Sequence, residues 1–257
     1  MNNKVIVITG GSSGIGAAFA HTAVARGAKV VLAARRKPEL DALVEKLGAN
    51  AFAVVTDVTR REDNERLRDA ALGKFGHIDA WIANAGRGIT RPVTQLTDAD
   101  IDDMMSVNLK SVLYSIQAAM PHFRARKAGH LIAISSGLSR FPLAHWRSAY
   151  SASKAAVNLL MASLRVELRE ELPGVHVTTV LPGVVATEFG SNAMHGGLDS
   201  RGLPGAQPVE EVAEVIADVI EKPRAEVYTR PQMRELAARY FSAEDVAVIE
   251  SQPPFMR

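Results

Sequence analysis

The chain predicts an α/β fold: a doubly wound parallel sheet of about seven strands, helices on both faces, in a single domain. Three observations carry this. Seven short apolar runs, at 5–9, 29–34, 51–55, 78–83, 131–134, 175–181 and 225–229, alternate with helical patterns along the whole length, as happens where crossover helices return the chain to a parallel sheet. The runs are continuously apolar rather than alternating, which marks strands buried on both faces. No linker-like or low-complexity stretch divides the 257 residues, and a hydrophobic content of 47% supplies one large core.

Composition narrows the function classes. The formal net charge is +2 with no block of Lys and Arg, so nucleic acid is not expected as a partner. The absence of cysteine excludes disulfides and thiolate chemistry and fits a reducing compartment. The apolar start Val5-Ile6-Val7-Ile8 is too short for a signal peptide, and nothing reaches the length of a membrane span. The expectation is a soluble cytoplasmic protein without a membrane partner.

Run 5–9 feeds Thr9-Gly10-Gly11-Ser12-Ser13-Gly14-Ile15-Gly16, then helical spacing to Val24 and a stop at Gly27. Glycines there let the backbone turn sharply and approach a ligand, while the first turn of the helix offers unpaired N–H groups and a partial positive charge to a pyrophosphate. The pattern Thr9-Gly10-x-x-x-Gly14-x-Gly16 resembles the cofactor loop of the short-chain dehydrogenase/reductase family, which implies a Rossmann-type fold and a nicotinamide dinucleotide. Run 29–34 ends in Ala34-Arg35-Arg36. An NAD-binding chain usually places a carboxylate about 20 residues beyond the glycines to hold the ribose 2′-hydroxyl. That acid is missing here, and arginine forks suit a 2′-phosphate. Preference for NADP(H) over NAD(H) is the expectation, with Arg35, the first residue past the strand, as principal clamp. Ser12 and Ser13 lie nearby, and Arg36 is expected to stack or stay exposed.

Pro38 opens a helix that Gly48 ends, and strand 51–55 precedes Asp57-Val58. The resemblance assigns this pair to the adenine, Asp57 through its side chain and Val58 through its backbone. A helix cap is the competing role for Asp57, and position alone does not separate the two. After a helix carrying Leu67, Ala71 and Phe75, strand 78–83 ends in Asn84-Ala85-Gly86, similar to the family's Asn-Ala-Gly motif, which packs the central sheet beside the cofactor. Asn84 is expected to be structural. Thr97 caps a long helix with Ile101, Met104, Met105, Val112, Ile116, Met120 and Phe123 at helical spacing. Asn108 interrupts it with a mediocre helix former. By the resemblance of Ser106-Val107-Asn108-Leu109, Asn108 opens the helix locally and positions a water near a catalytic lysine.

Strand 131–134 delivers Ser135-Ser136-Gly137 to its carboxyl end, where open α/β sheets bind their ligands. Ser136 matches the family's catalytic serine better than Ser135, but its separation from Tyr150 of 14 residues is one longer than the family pattern and leaves open which hydroxyl points inward. Tyr150-Ser151-Ala152-Ser153-Lys154 lies in the opening turns of a long helix from Ser148 through Arg169. Residues four apart share a helix face, so phenol and ammonium address one small volume. A cation within ~4–5 Å of a phenol at an effective dielectric of ~20 would lower its pKa from ~10 by roughly two units, enough for acid/base work near neutrality.

Strand 175–181 enters Pro182-Gly183-Val184-Val185-Ala186-Thr187, which resembles the family segment that cups the nicotinamide and brings Pro182, Gly183, Val185 and Thr187 into the cofactor site. The stretch 188–208, rich in Gly, Ser, Asn and Met, reads as a mobile lid over the substrate. Leu143, Trp146, Phe189 and Met194 flank the site and suggest a largely apolar substrate pocket. A helix follows at 209–220, and the tail 231–257 is partly helical with no readable role.

These motifs together cover residues 4 to about 230. The resemblance implies a metal-free NAD(P)-dependent enzyme that interconverts a carbonyl compound and an alcohol by hydride transfer. In it Tyr150 is general acid and base, Ser136 holds the oxygen, Lys154 polarises Tyr150 and holds the nicotinamide ribose, and Asn108 maintains a proton relay. It also implies a homodimer or homotetramer built on the two long helices carrying Asn108 and Tyr150. Two other readings stand beside it. A dinucleotide sensor without turnover has no need of the set Ser136, Tyr150 and Lys154. A dehydratase or epimerase on the same fold would form product without net cofactor oxidation.

Overall fold

Continuous runs of Val, Ile, Leu and Ala form β1 (Val5–Thr9), β2 (Lys29–Ala34), β3 (Ala51–Val55), β4 (Ala80–Ala83), β5 (Gly129–Ile134), β6 (Val175–Leu181) and β7 (Glu226–Tyr228) in the computed structural model, which describes residues 1–255. All neighbouring pairs are parallel, in the order β3-β2-β1-β4-β5-β6-β7. Ile6 of β1 lies opposite Val30 of β2 on one side and Ala80 of β4 on the other. Alternate residues of a strand face opposite sides, so β1 serves two cores. Ile6 and Ile8 join Phe19, Val212 and Ile216 on one face, while Val7 joins Trp81, Leu67, Phe123 and Val157 on the other.

The helices that cover the first face include α1 (Gly14–Ala25), α2 (Lys37–Leu47) and α7 (Val209–Glu221). Those on the second are α3 (Arg61–Phe75), α5 (Ser111–Arg126) and α6 (Ser148–Glu171). A short α4 (Asp98–Met104) precedes α5. Its N-terminus is the expected Thr97 cap in capping-box form: Asp100 N–H donates to Thr97 Oγ1 at 3.3 Å and Thr97 N–H to Asp100 Oδ2 at 3.0 Å. The chain crosses from β1 to β2 on one side and later reaches β4 on the other, so the strand order reverses between β1 and β4. The crevice at their carboxyl ends is where a doubly wound sheet binds its ligand.

Several boundaries depart from the sequence reading, β5 starting two residues earlier at Gly129 and β7 shortened to Glu226–Tyr228 among them. The fourth strand starts at Ala80 because Ile78 is engaged by side chains, its N–H donating to His122 Nε2 at 3.0 Å and its carbonyl accepting from Arg126 at 2.8 Å. The long helix expected from Thr97 onward is split by a π-helical turn, Met105–Lys110, centred on Asn108. The tail forms α8 (Pro231–Phe241) and α9 (Val246–Glu250) and folds back on the loop after β5, where Phe141, Tyr240 and Phe255 pack ring to ring at 5.7–6.1 Å. No helix among the described residues is long and apolar enough to cross a membrane.

Candidate active site

The turn from β1 into α1 makes a cradle from backbone. Gly10 has φ of +64°, and a side chain there would begin 2.8 Å from Asn84 Nδ2 and 2.9 Å from the Ala85 α-carbon, so only glycine fits. The Asn84 amide donates to the carbonyls of Thr9 and Gly10 at 2.9 and 3.1 Å, tying the end of β4 to the end of β1. The first turn of α1 contains Gly14, Ile15 and Gly16. Its cap residue Ser13 makes no side-chain cap bond, and the turn holds no acidic residue. Its leading N–H groups are therefore left for an anion, and the positive end of the helix dipole is uncompensated. Thr187, from the segment after β6, stands 3.5 Å from where a side chain at Gly14 would begin. That segment thus reaches the first turn of α1.

The arginine pair behaves otherwise than the sequence suggests. Arg36, not Arg35, turns to the glycine loop, its Nη2 donating to Ser12 Oγ at 3.2 Å and Ser13 Oγ at 3.1 Å while Nη1 pairs with Glu39 at 3.1 Å. The backbone is still extended at Arg36, so successive side chains point to opposite sides. Arg35 goes toward Asp57 at the end of β3. Burial alone would raise the Asp57 carboxyl, but hydrogen bonds from Thr59 and the charges of Arg35 and Arg60 bring it below its ordinary value. Asp57 does not cap α3, whose cap position is Arg60. It holds its own loop, accepting from Thr59 N–H at 3.0 Å and Thr59 Oγ1 at 2.7 Å, and the Val58 carbonyl accepts from Asn64 at 3.2 Å.

At the carboxyl end of β5 the two serines separate. Ser135 Oγ donates to the Lys154 carbonyl at 3.2 Å and is committed to the backbone of α6. Ser136 Oγ accepts from Leu138 N–H at 3.2 Å and stands near enough to the Tyr150 phenol to favour its anion, so it is Ser136 that faces Tyr150. Tyr150 and Lys154 are both buried, 7% and 3% exposed, which decides their electrostatics. The Lys154 ammonium donates to the Ile134 carbonyl at 2.8 Å and lies 5.9 Å from the centre of the Tyr150 ring. The expectation that this cation pulls the phenol down is corrected. Burial pushes Tyr150 above its ordinary value, opposed by the Ser136 hydrogen bond and by the charge of Arg147. Burial likewise lowers Lys154 to about 8. Removal from water disfavours the charged form of each group, which raises the phenol and lowers the ammonium.

Asn108, fully buried in the π-helical turn, is bonded on every polar atom. Nδ2 donates to Ser153 Oγ and to the Arg87 carbonyl, each at 3.0 Å, and Oδ1 accepts from Arg87 N–H at 2.8 Å. A side chain at Gly86 would begin 3.1 Å from Asn108 Oδ1 and 3.3 Å from Lys154 Nζ. The bare α-carbon of Gly86 therefore lets Asn108 and Lys154 converge.

The segment 188–208 lies against the site and is fastened along its length. Met194 forms a parallel bridge with Ile89, its N–H donating to Gly88 at 2.9 Å. His195 Nε2 meets Asp100 Oδ1 at 2.7 Å, and buried Gln207 bridges to Val185 and accepts from Thr229 Oγ1 at 2.6 Å. The bonds from His195, Thr97 and Arg91 hold the Asp100 carboxyl well below the usual carboxylate range. Of the four expected substrate contacts, Phe189 is brought 5.4 Å from the Tyr150 ring and Met194 packs on the cluster of Ile89, Met104, Ala149 and Tyr150. Trp146 meets His145 edge-on at 4.9 Å, and Leu143 sits on the same loop before α6. Two residues were not foreseen. Met233 of α8 covers Gly137, next to Ser136, a long-range contact with no sequence signal. Arg147 lies three residues before Tyr150, and the helical spacing that singles out Lys154 would have found it.

The model of the short chain dehydrogenase family matches residues 4–196. An uncharacterized oxidoreductase from Listeria monocytogenes is 37% identical over 232 residues, 87% of this chain and 92% of the relative. Among solved structures, a short-chain dehydrogenase/reductase from Burkholderia phymatum in complex with NAD superposes with a TM-score of 0.87 at 26% identity, covering 96% and 95% of the two chains. An alcohol dehydrogenase from Thermococcus sibiricus complexed with 5-hydroxy-NADP gives 0.75 at 28% identity, covering 88% and 95%. With its motifs in order on a matching fold, the chain belongs to the short-chain dehydrogenase/reductase family.

Proposed function

We propose that the protein is an NADP(H)-preferring oxidoreductase that interconverts an alcohol and a carbonyl compound, with Tyr150 as proton donor and acceptor. The observation that carries this is the Ser136 hydroxyl beside the buried Tyr150 phenol, with the Lys154 ammonium one turn along the same helix, 5.9 Å from the phenol ring. The α1 turn, Gly10, Ser12, Ser13, Asp57, Val58, Asn84, Ala85, Gly86 and the segment Pro182, Gly183, Val185 and Thr187 would hold the dinucleotide. Bound there, the nicotinamide supplies the two-electron acceptor for the hydrogen leaving the alcohol carbon, or returns it in the reverse direction. Ser136 donates to the substrate oxygen, Tyr150 takes or gives that oxygen's proton, and Lys154 keeps a positive charge beside the phenolate that forms. Asn108 holds the Arg87 loop and Ser153 in register with them. A panel of ketones, keto esters and aldehydes tests this by cofactor oxidation. Binding of cofactor without turnover of any member would favour a sensor, and product without net oxidation a dehydratase or epimerase.

The cofactor preference rests on Arg36 with Ser12 and Ser13. A 2′-phosphate in the place where these three meet takes charge-assisted bonds of about 1.5–3 kcal/mol. Arg36→Ala is expected to lower kcat/KM with NADPH at least ~10-fold, the equivalent of 1.4 kcal/mol, and to leave NADH nearly unaffected. Arg35→Ala is expected to act less, through Asp57. An NADPH/NADH ratio that Arg36→Ala leaves unchanged would show the pair to be a solvated turn.

Assembly through α5 and α6 belongs to the same proposal. Leu159 and Val166, seven apart on α6, are 71% and 61% exposed, an apolar stripe suited to a second copy. Light scattering at micromolar concentration is expected to give a dimer or tetramer mass, and a monomer mass contradicts it.

A further inference from the structure

Arg147 closes the turn before α6 and acts on the Tyr150 phenol through its charge, but exchanges no proton in the reaction at Tyr150. Its guanidinium is half-buried and lodged between two backbones. A side chain at Gly88 would begin 2.7 Å from Arg147 Nη1, and one at Gly197 would begin 3.1 Å from Nη2. The first glycine follows β4 and the second lies in the segment 188–208, so Arg147 sits between floor and cover of the site. The same point at Gly88 is 3.1 Å from Phe189 Cε1 and 3.2 Å from Ala193 Cβ, and the Phe189 ring meets that of Tyr150. Arg147 thus borders the same side chains as the Tyr150 ring and lies close enough for its charge to act on the phenol.

Other arginines around this volume are neutralised: Arg87 by Asp103 at 3.1 Å, Arg91 by Asp100 at 2.7 Å and Arg140 by Glu226. Among the described residues no carboxylate pairs with Arg147 and no group accepts a hydrogen bond from its guanidinium. A guanidinium taken partly out of water without an anion is unfavourable, and its planar fork matches a carboxylate on two oxygens. One such fork, bordered by Phe189 and Ala193, balances a single negative charge.

We propose that Arg147 binds a carboxylate of the substrate, so that the pair interconverted is a hydroxy acid and its oxo acid. This rests on the oxidoreductase reading of Tyr150 and names the substrate class for it. The carboxylate takes no part in the bond changes. The hydroxyl proton passes to Tyr150, the carbinol hydrogen leaves with two electrons to the nicotinamide, and the C–O bond becomes the carbonyl of the oxo acid.

The test compares 2- and 3-hydroxy acids of four carbons with their methyl esters, using NADP⁺ and the parent, Arg147→Gln and Arg147→Lys proteins. The parent is expected to favour at least one acid over its ester by about 30-fold in kcat/KM, which is ~2 kcal/mol at 1.4 kcal/mol per decade. Arg147→Gln removes a charge that acts on Tyr150 and is expected to slow both substrates by a common factor, and in addition to abolish the preference by raising KM for the acid alone; Arg147→Lys should restore part of that preference. Malonate competing with the ester in the parent reads the same site without any variant. Equal use of acid and ester by the parent, no inhibition by millimolar malonate, or an equal loss on both substrates in Arg147→Gln would overturn the assignment. Failure of the oxidoreductase reading looks different: the parent then turns over none of the acids, esters or neutral ketones, and the role of Arg147 falls with it.

Discussion

Tyr150→Phe is expected to lower turnover by at least ~10²-fold, the usual contribution of a positioned general acid or base, with cofactor affinity nearly intact. The phenylalanine ring fills the same volume against Phe189 and the Ile89–Met104–Ala149 cluster, so the fold loses only one hydroxyl. That hydroxyl is the group beside Ser136 and, on the proposed mechanism, the one that meets the substrate oxygen. The dinucleotide cradle, built from the α1 turn and the end of β4, does not depend on it. Parallel loss of cofactor binding and turnover would mean instead that the site had collapsed.

Lys154→Met is expected to remove activity and weaken cofactor binding, yet to stabilise the protein at neutral pH. Burial lowers the Lys154 ammonium from 10.5 to about 8, which corresponds to about 3 kcal/mol disfavouring its charged form in the folded state. Loss of the bond to the Ile134 carbonyl offsets about 1–2 kcal/mol, leaving a net gain of about 1–2 kcal/mol. The pH dependence has a definite sign. Below pH 8 the lysine is charged in both states, and the folded protein carries the full penalty. Between pH 8 and 10.5 the unfolded chain binds more protons than the folded one, so the parent gains stability as pH rises and the advantage of Lys154→Met fades. Denaturant titrations at pH 7 and pH 10 measure this. A variant less stable than the parent at pH 7 would show that the ammonium is better accommodated than its burial indicates.

How much of this was legible in the sequence depends on the range of the force involved. β1, β2, β3 and β6 have the bounds their apolar runs imply because each run is ended locally by a glycine, a proline or a polar residue. The Thr97 cap is equally local. Asn108 was legible as a disturbance of helical periodicity, and the π-helical turn is what it looks like in space. Arg35 and Arg36 were legible as a pair but not as individuals, because one residue of strand pleat decides which of them faces the glycine loop. The electrostatics of Tyr150 and Lys154 were misjudged for a different reason. Spacing along a helix reports their proximity, whereas their protonation is set by how completely other elements cover them. Met233 and the two glycines around Arg147 reach the site only through the tertiary fold, and no pattern near Tyr150 announces them.

The central claim is that hydrogen moves between a dinucleotide and a carbonyl carbon at Tyr150. It is tested most directly by supplying NADPH deuterated at the transferable C4 position, together with whichever carbonyl compound the panel shows to be consumed, and weighing the product. The account predicts an alcohol one mass unit heavier than that formed from unlabelled NADPH, with one cofactor oxidised per product formed. An unlabelled product, or product formed without cofactor oxidation, would contradict it.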